Sequence, residues 1–113
     1  MEPSRMPKSS TEDLSPFAAP ALTVMAALAD GPKHGYLIMQ EAERLTGQPM
    51  GPGTLYAALA RLEQRGLIEA LPAEDRRRPY RLTGLGSTTL QAHVDQMRSF
   101  ARQTLGRLEG GAA

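Results

Sequence analysis

The chain has 113 residues, 22% charged and 4% aromatic, and its 13 basic side chains against 12 acidic ones leave a formal net charge of +1. That length holds one small domain, and the charge balance excludes a polyelectrolyte tail and gives no global pull towards nucleic acid. Cysteine is absent, which excludes a disulfide framework, a thiol nucleophile and cysteine-ligated zinc.

Residues 1–15 are rich in Pro, Ser, Thr and charge and are expected to be a disordered lead-in. Pro16 or Pro20 suits the first turn of a helix. Ala21, Leu22, Met25 and Leu28 recur there at helical spacing until Asp30-Gly31-Pro32 stops it. A second helix is predicted from near His34 to Thr46-Gly47, with Ile38, Ala42 and Leu45 facing inward. Beyond a loop of Gly47, Pro49 and Gly51, Pro52 opens a third helix that reaches Gln64 or Arg65. Its inward face is Leu55, Leu59 and Leu62, and Gly66 is its C-cap. The period then changes. Leu67 to Leu71 reads as a short strand, Pro72 to Pro79 as a polar turn and Tyr80-Arg81-Leu82 as a second strand. Thr83 suits the N-cap of a last helix from about Gly84 to Leu108, ended by Gly110-Gly111. The order predicts a mainly α fold with a small β-hairpin: a winged helix-turn-helix over 16–83, then a long C-terminal helix and short tail over 84–113.

That architecture places the third helix in a DNA major groove and the hairpin tip beside it. At 100° per residue, with Leu55 at the centre of the buried face, Gly53, Ala57, Ala60 and Gln64 point outward. Thr54, Arg61 and Arg65 lie along one shoulder and Tyr56 on the other. Small residues let a helix approach another surface closely, while Thr and Gln suit base edges and Arg suits phosphate or guanine. The stronger signal is Arg76, Arg77, Arg78 and Arg81, four Arg in six residues with no acid among them. Like charges at a hairpin tip repel unless an anion arrives, and DNA phosphates or a minor groove would serve. A solvated charged face and an acidic protein partner are the competing interpretations.

His34-Gly35-Tyr36 invites a catalytic interpretation, but neither Glu41 nor Glu43 sits three or four residues beyond His34, and His93 is far away in the chain. His34 is expected to cap or pack the start of the second helix, with Gly35 permitting a close crossing. No enzyme, metal site or cofactor is expected. Along the last helix, Leu90, Val94, Met97, Ala101 and Leu105 follow at steps of 4, 3, 4 and 4. That stripe is longer than a domain this small can use, so a two-fold dimer is expected there.

Three runs carry a family resemblance. Gly31-Pro32-Lys33-His34-Gly35-Tyr36 resembles the start of the second helix in PadR-like transcriptional regulators. Pro52-Gly53-Thr54-Leu55-Tyr56, with Leu59 to Glu63 and Gly66-Leu67-Ile68, is similar to that family's recognition helix and first wing strand. Arg76 to Gly86 is similar to its wing and the Tyr-Arg-Leu-Thr-x-x-Gly element. The resemblance covers about residues 20–90. It implies a dimeric winged-helix regulator of the short branch, usually a repressor and often released by a small molecule. Carried over, Thr54 and Tyr56 face the DNA backbone or groove edge, Lys33 sits near phosphates, and the wing Arg straddle the adjacent backbone or minor groove. Gly51, Ala57 and Pro79 depart from the family's usual residues. An effector would meet Met97 and Phe100, for both of which plain core packing is the competing interpretation. The expectation is therefore a cytoplasmic, homodimeric repressor on a near-palindromic double-stranded DNA operator. A module that binds an acidic protein is the alternative, and no membrane role is expected, since no apolar run approaches the ~20 residues of a span.

Overall fold

The computed structural model describes residues 19–111; the expected lead-in of 1–15 and the possible helix start at Pro16 lie outside the described residues. Helix α1 spans Pro20–Ala27. Pro20 suits its first position because it has no N–H to leave unbonded. Strand β1, Lys33–His34, follows at once. Two residues are too few to show a period, and nothing in the sequence marked them as a strand. Helix α2, Gly35–Thr46, ends at Gly47 in the left-handed conformation that glycine adopts without penalty. Its buried residues are Gly35, Ile38 and Ala42. Leu45, expected inward, is 53% exposed. Its azimuth is within about 20° of Ile38 at 100° per residue, but the helix has by then run a turn past what it packs against. Met39 packs on the core instead.

Helix α3, Pro52–Gln64, buries Leu55, Ala58, Leu59 and Leu62, and Gly66 closes it with φ 76°. Strands β2, Ile68–Ala70, and β3, Pro79–Leu82, pair antiparallel, Ile68 opposite Leu82, Glu69 opposite Arg81 and Ala70 opposite Tyr80. Strand β1 adds to the other edge of β3, so the expected hairpin is a three-stranded sheet in the order β1-β3-β2.

Helix α4 spans Gly84–Gly111. The Gly86 amide donates to the Thr83 hydroxyl over 3.0 Å, the expected cap. The helix continues through Gly110 rather than stopping at Leu108, because glycine lowers helix propensity by about 1 kcal/mol without forbidding the conformation. One core holds the elements together, built on Val24, Leu28, Ile38, Leu55, Leu59, Leu62 and Ile68. Leu90, expected in the dimer stripe, is 7% exposed and belongs to this core. The start of α4 packs against α1 and β3, which buries Leu90 within its own chain.

Candidate nucleic-acid interface

Burying Leu55, Leu59 and Leu62 turns the opposite side of α3 to solvent. Gly53, Thr54, Tyr56, Ala57, Ala60, Arg61, Gln64 and Arg65 are all exposed. The centre of that side carries no charge, so a groove floor can approach its backbone. Thr54, Ala57 and Arg61 line a shallow groove of about 290 Å³ with Pro20 and Ala21 of α1. On the other shoulder Tyr56 crosses Gly35: a Cβ at Gly35 would stand 2.6 Å from the Tyr56 hydroxyl. The expected close crossing is therefore present, and a side chain at Gly35 would displace the Tyr56 ring.

The wing tip is tighter than an eight-residue polar turn. Glu74 and Arg77 exchange backbone hydrogen bonds of 2.6 and 2.8 Å. Between them Asp75 and Arg76 have φ of 48° and 69°. Two left-handed central residues make the turn whose twist matches a hairpin, usually built from Asn and Gly. Asp tolerates that region and Arg seldom enters it. Arg76 thus holds the apex, and Arg77 and Arg78 lead back into β3.

Arg77 reaches back across the sheet. Its guanidinium donates to His34 Nε2 over 3.3 Å, which requires that nitrogen to be unprotonated. His34 precedes α2 but makes no side-chain cap, so the expected capping role gives way to this contact. Pairing of β1 with β3 also collects all three tyrosines of the chain around one hollow of about 370 Å³. His34 and Tyr36 bound it on the α2 side, Tyr56 from α3, and Arg76, Arg77, Arg78 and Tyr80 from the wing. Burial pushes the Tyr80 phenol above its ordinary pKa, the charge of Glu63 and nearby Tyr56 add to this, and Arg78 opposes it. Tyr80 therefore stays a neutral hydroxyl that can donate or accept. His34, Tyr36 and Tyr80 were missed as site residues. The sequence marked the first two for a different chemistry, and no local spacing links them to the wing.

Lys33 and Arg81 are placed differently from the other expected cations. Lys33 stands opposite Tyr80, on the sheet face that Tyr80 and Leu82 turn to the core. Its ammonium pairs with Asp30, and its side chain is 11% exposed. The hydrogen bond and charge from Lys33 hold the Asp30 carboxyl below the ordinary aspartate pKa. Arg81 pairs across the strands with Glu69 at 2.6 Å. Arg76, Arg77 and Arg78 have no acid partner among the described residues. Helix projection could not separate these cases, because acid partners came from the turn before β1 and from β2.

Beyond Leu90, α4 runs clear of the core. Val94 is 38% exposed and Leu105 56%, Ala101 is exposed and Met97 is half-buried. Phe100 stands out at 72%, over a groove of about 480 Å³ walled by Gln96, Gln103 and Arg107 among others, to which Met97 does not contribute. The expected Met97–Phe100 pocket is thus not closed within one chain. Among the described residues no three potential ligands gather for a metal ion, and no helix is long and apolar enough to cross a membrane.

The family model for PadR-like transcriptional regulators matches residues 24–92. The chain belongs to the PadR-like family. That match runs from α1 through the wing to just past Leu90, and it leaves the exposed length of α4 outside. Similar proteins include an uncharacterised 37.1 kDa protein of transposon TN4556 from Streptomyces fradiae, 45% identical over 76 residues. The alignment covers 67% of this chain and only 22% of that protein. The transcriptional regulator Rv3488 of Mycobacterium tuberculosis is 38% identical over 92 residues, 79% of this chain and 85% of that one. A PadR family transcription regulator from Clostridium difficile has the same fold, with a TM-score of 0.67 at 23% identity, covering 79% of this chain and 96% of that one. A transcriptional regulator from Clostridium thermocellum gives 0.67 at 23% identity over 90% and 97%. PadR-like proteins are regulators of transcription and not enzymes.

Proposed function

We propose that this PadR-like chain is a homodimeric repressor that binds a near-palindromic operator and blocks access to it. The observation that carries this is the convergence of Arg76, Arg77 and Arg78, which have no acid partner among the described residues, with Tyr56 on one hollow, beside the small, uncharged outer face of α3. In this arrangement α3 enters the major groove, where Gln64 and Arg61 read base edges. The wing holds the neighbouring phosphates or minor groove. Two copies pair along Val94, Met97, Ala101 and Leu105 of α4, so residues 16–83 serve as the DNA-binding unit and α4 as the dimerisation arm. A small molecule that releases the operator would act at this pairing surface, where Met97 and Phe100 lie about one turn apart. A chromosomal target goes with a cytoplasmic location.

The test is binding to duplex DNA across a salt series, for the wild type and for a variant with Arg76, Arg77 and Arg78 all replaced by Ala. Every phosphate that the variant no longer neutralises should flatten the slope of log K against log salt by about 0.9, counted twice in a dimer. A wild type that binds no duplex, or a variant with an unchanged slope, removes the wing from the DNA interface. Binding to acidic proteins with equal salt sensitivity would instead assign the Arg cluster to a protein partner.

A further inference from the structure

The Thr83-Gly84-Leu85-Gly86 run touches neither the outer face of α3 nor the wing tip, yet its atoms tie α3 to α4. The Thr83 hydroxyl donates to the Gly66 carbonyl over 2.7 Å and accepts from the Gly86 amide over 3.0 Å. The Thr83 amide donates to the Leu67 carbonyl over 3.1 Å. Gly66 and Leu67 are themselves held to the end of α3, by amide bonds of 3.0 Å to Glu63 and 2.9 Å to Leu62. Gly86 is buried, and a Cβ there would lie 1.9 Å from the Leu67 carbonyl oxygen. The first turn of α4 therefore rests on backbone with no clearance, and Leu90 fastens the next turn into the core.

What this joint controls follows from a length. Residues 91–111 of α4 extend about 31 Å past the core at 1.5 Å per residue. A tilt of about 10° at the joint would carry the far end about 5 Å over that length, more than the ~3.4 Å rise of one base pair. Two recognition helices joined through two such arms keep their separation to within a base pair only if the joint has no slack.

We propose that Thr83 is a positioning residue for operator spacing. Its hydroxyl locks α3 to α4 and so sets the distance between half-sites that the dimer accepts. This rests on the homodimeric DNA-binding function proposed above. It requires of Thr83 no contact with DNA.

The experiment first selects paired half-sites from random duplexes with the wild-type chain, then inserts or removes single base pairs between them. The wild type should lose about 100-fold in affinity when the spacing changes, because simultaneous engagement is then forbidden. Thr83→Val keeps the shape and removes the hydroxyl. It should bind an isolated half-site as the wild type does and lose less than about tenfold on the same spacing change. Thr83→Ser should restore the sharp preference. A Thr83→Val variant as sharp as the wild type, or a Thr83→Ser variant as loose as Thr83→Val, overturns the proposal. Should Thr83→Val fail to fold, Thr83→Ala is read by a spin-label distance between Ala60→Cys and Gln103→Cys, in dimers diluted with unlabelled chain. The chain has no other cysteine to label. A distribution no broader than that of the same pair with Thr83 intact overturns the proposal as well. A wild type that selects no paired half-sites overturns the DNA-binding function itself, and the label distances still report whether the hydroxyl locks the joint.

Discussion

Helices α3 and α4 carry apolar side chains at the same helical spacing, and the fold treats them in opposite ways. Leu55, Leu59 and Leu62 of α3 are 0–2% exposed, whereas Val94 and Leu105 of α4 are 38% and 56% exposed. The α3 stripe faces α1 and the sheet, and among the described residues the α4 stripe beyond Leu90 does not pack on the core. Periodicity therefore states that a face needs cover. It does not state whether the cover lies in the same chain. In α4 cover by the core ends along one helix, between Leu90 and Val94.

The largest effect should come from the buried side of this contrast. Leu59→Ala removes a fully buried side chain and leaves a cavity, so unfolding free energy should fall by about 2–5 kcal/mol. A shift below about 1 kcal/mol in urea titration would show that the α3 stripe is not the core it resembles. On the exposed side, Val94→Asp should leave helix content unchanged and raise the dimer dissociation constant about 100-fold or more, since it places an unpaired charge in an apolar interface. Light scattering at micromolar concentration should show two chains in the wild type and one in the variant. A wild type that is already one chain breaks the comparison, because the α4 stripe would then need no cover.

The two sides of α3 give a smaller effect. Gln64→Ala changes an exposed residue, so stability should move by no more than about 0.5 kcal/mol. Base preference at one position per half-site should weaken by about 1–3 kcal/mol. An unchanged selected sequence would leave Gln64 without a reading role. The smallest effect concerns acid. The Asp30 carboxyl is held below the 3.8 of an ordinary aspartate, chiefly by its hydrogen bond to Lys33. That stabilisation is present above the unfolded pKa and is lost as pH falls through the lower folded one. Urea midpoints of the wild type and Asp30→Asn should therefore differ slightly near neutral pH and converge in acid. A gap that widens in acid would reverse the sign.

Much of the fold was legible from local chemistry. Proline and glycine punctuate the chain where the helices start and stop: Pro20 and Pro52 open α1 and α3, and Gly47 and Gly66 close α2 and α3. These residues act through their own backbone, so sequence alone determined the helices and their order, the outward face of α3 and the Arg-rich wing. Leu45 marks the limit, since its azimuth was legible and its axial level was not. Contacts between distant segments needed the tertiary structure. Strand β1 exists only because β3 offers it an edge. That pairing brings His34 to Arg77 and Tyr36 to Tyr80, while Lys33 and Arg81 meet their acids and Arg76, Arg77 and Arg78 meet none among the described residues. The tertiary structure alone also decided that Leu90 is buried in the core while Val94 is exposed, and that Thr83 joins α3 to α4. Charge and apolar surface are satisfied by whatever lies nearest in space, and a linear sequence does not state which neighbours those are.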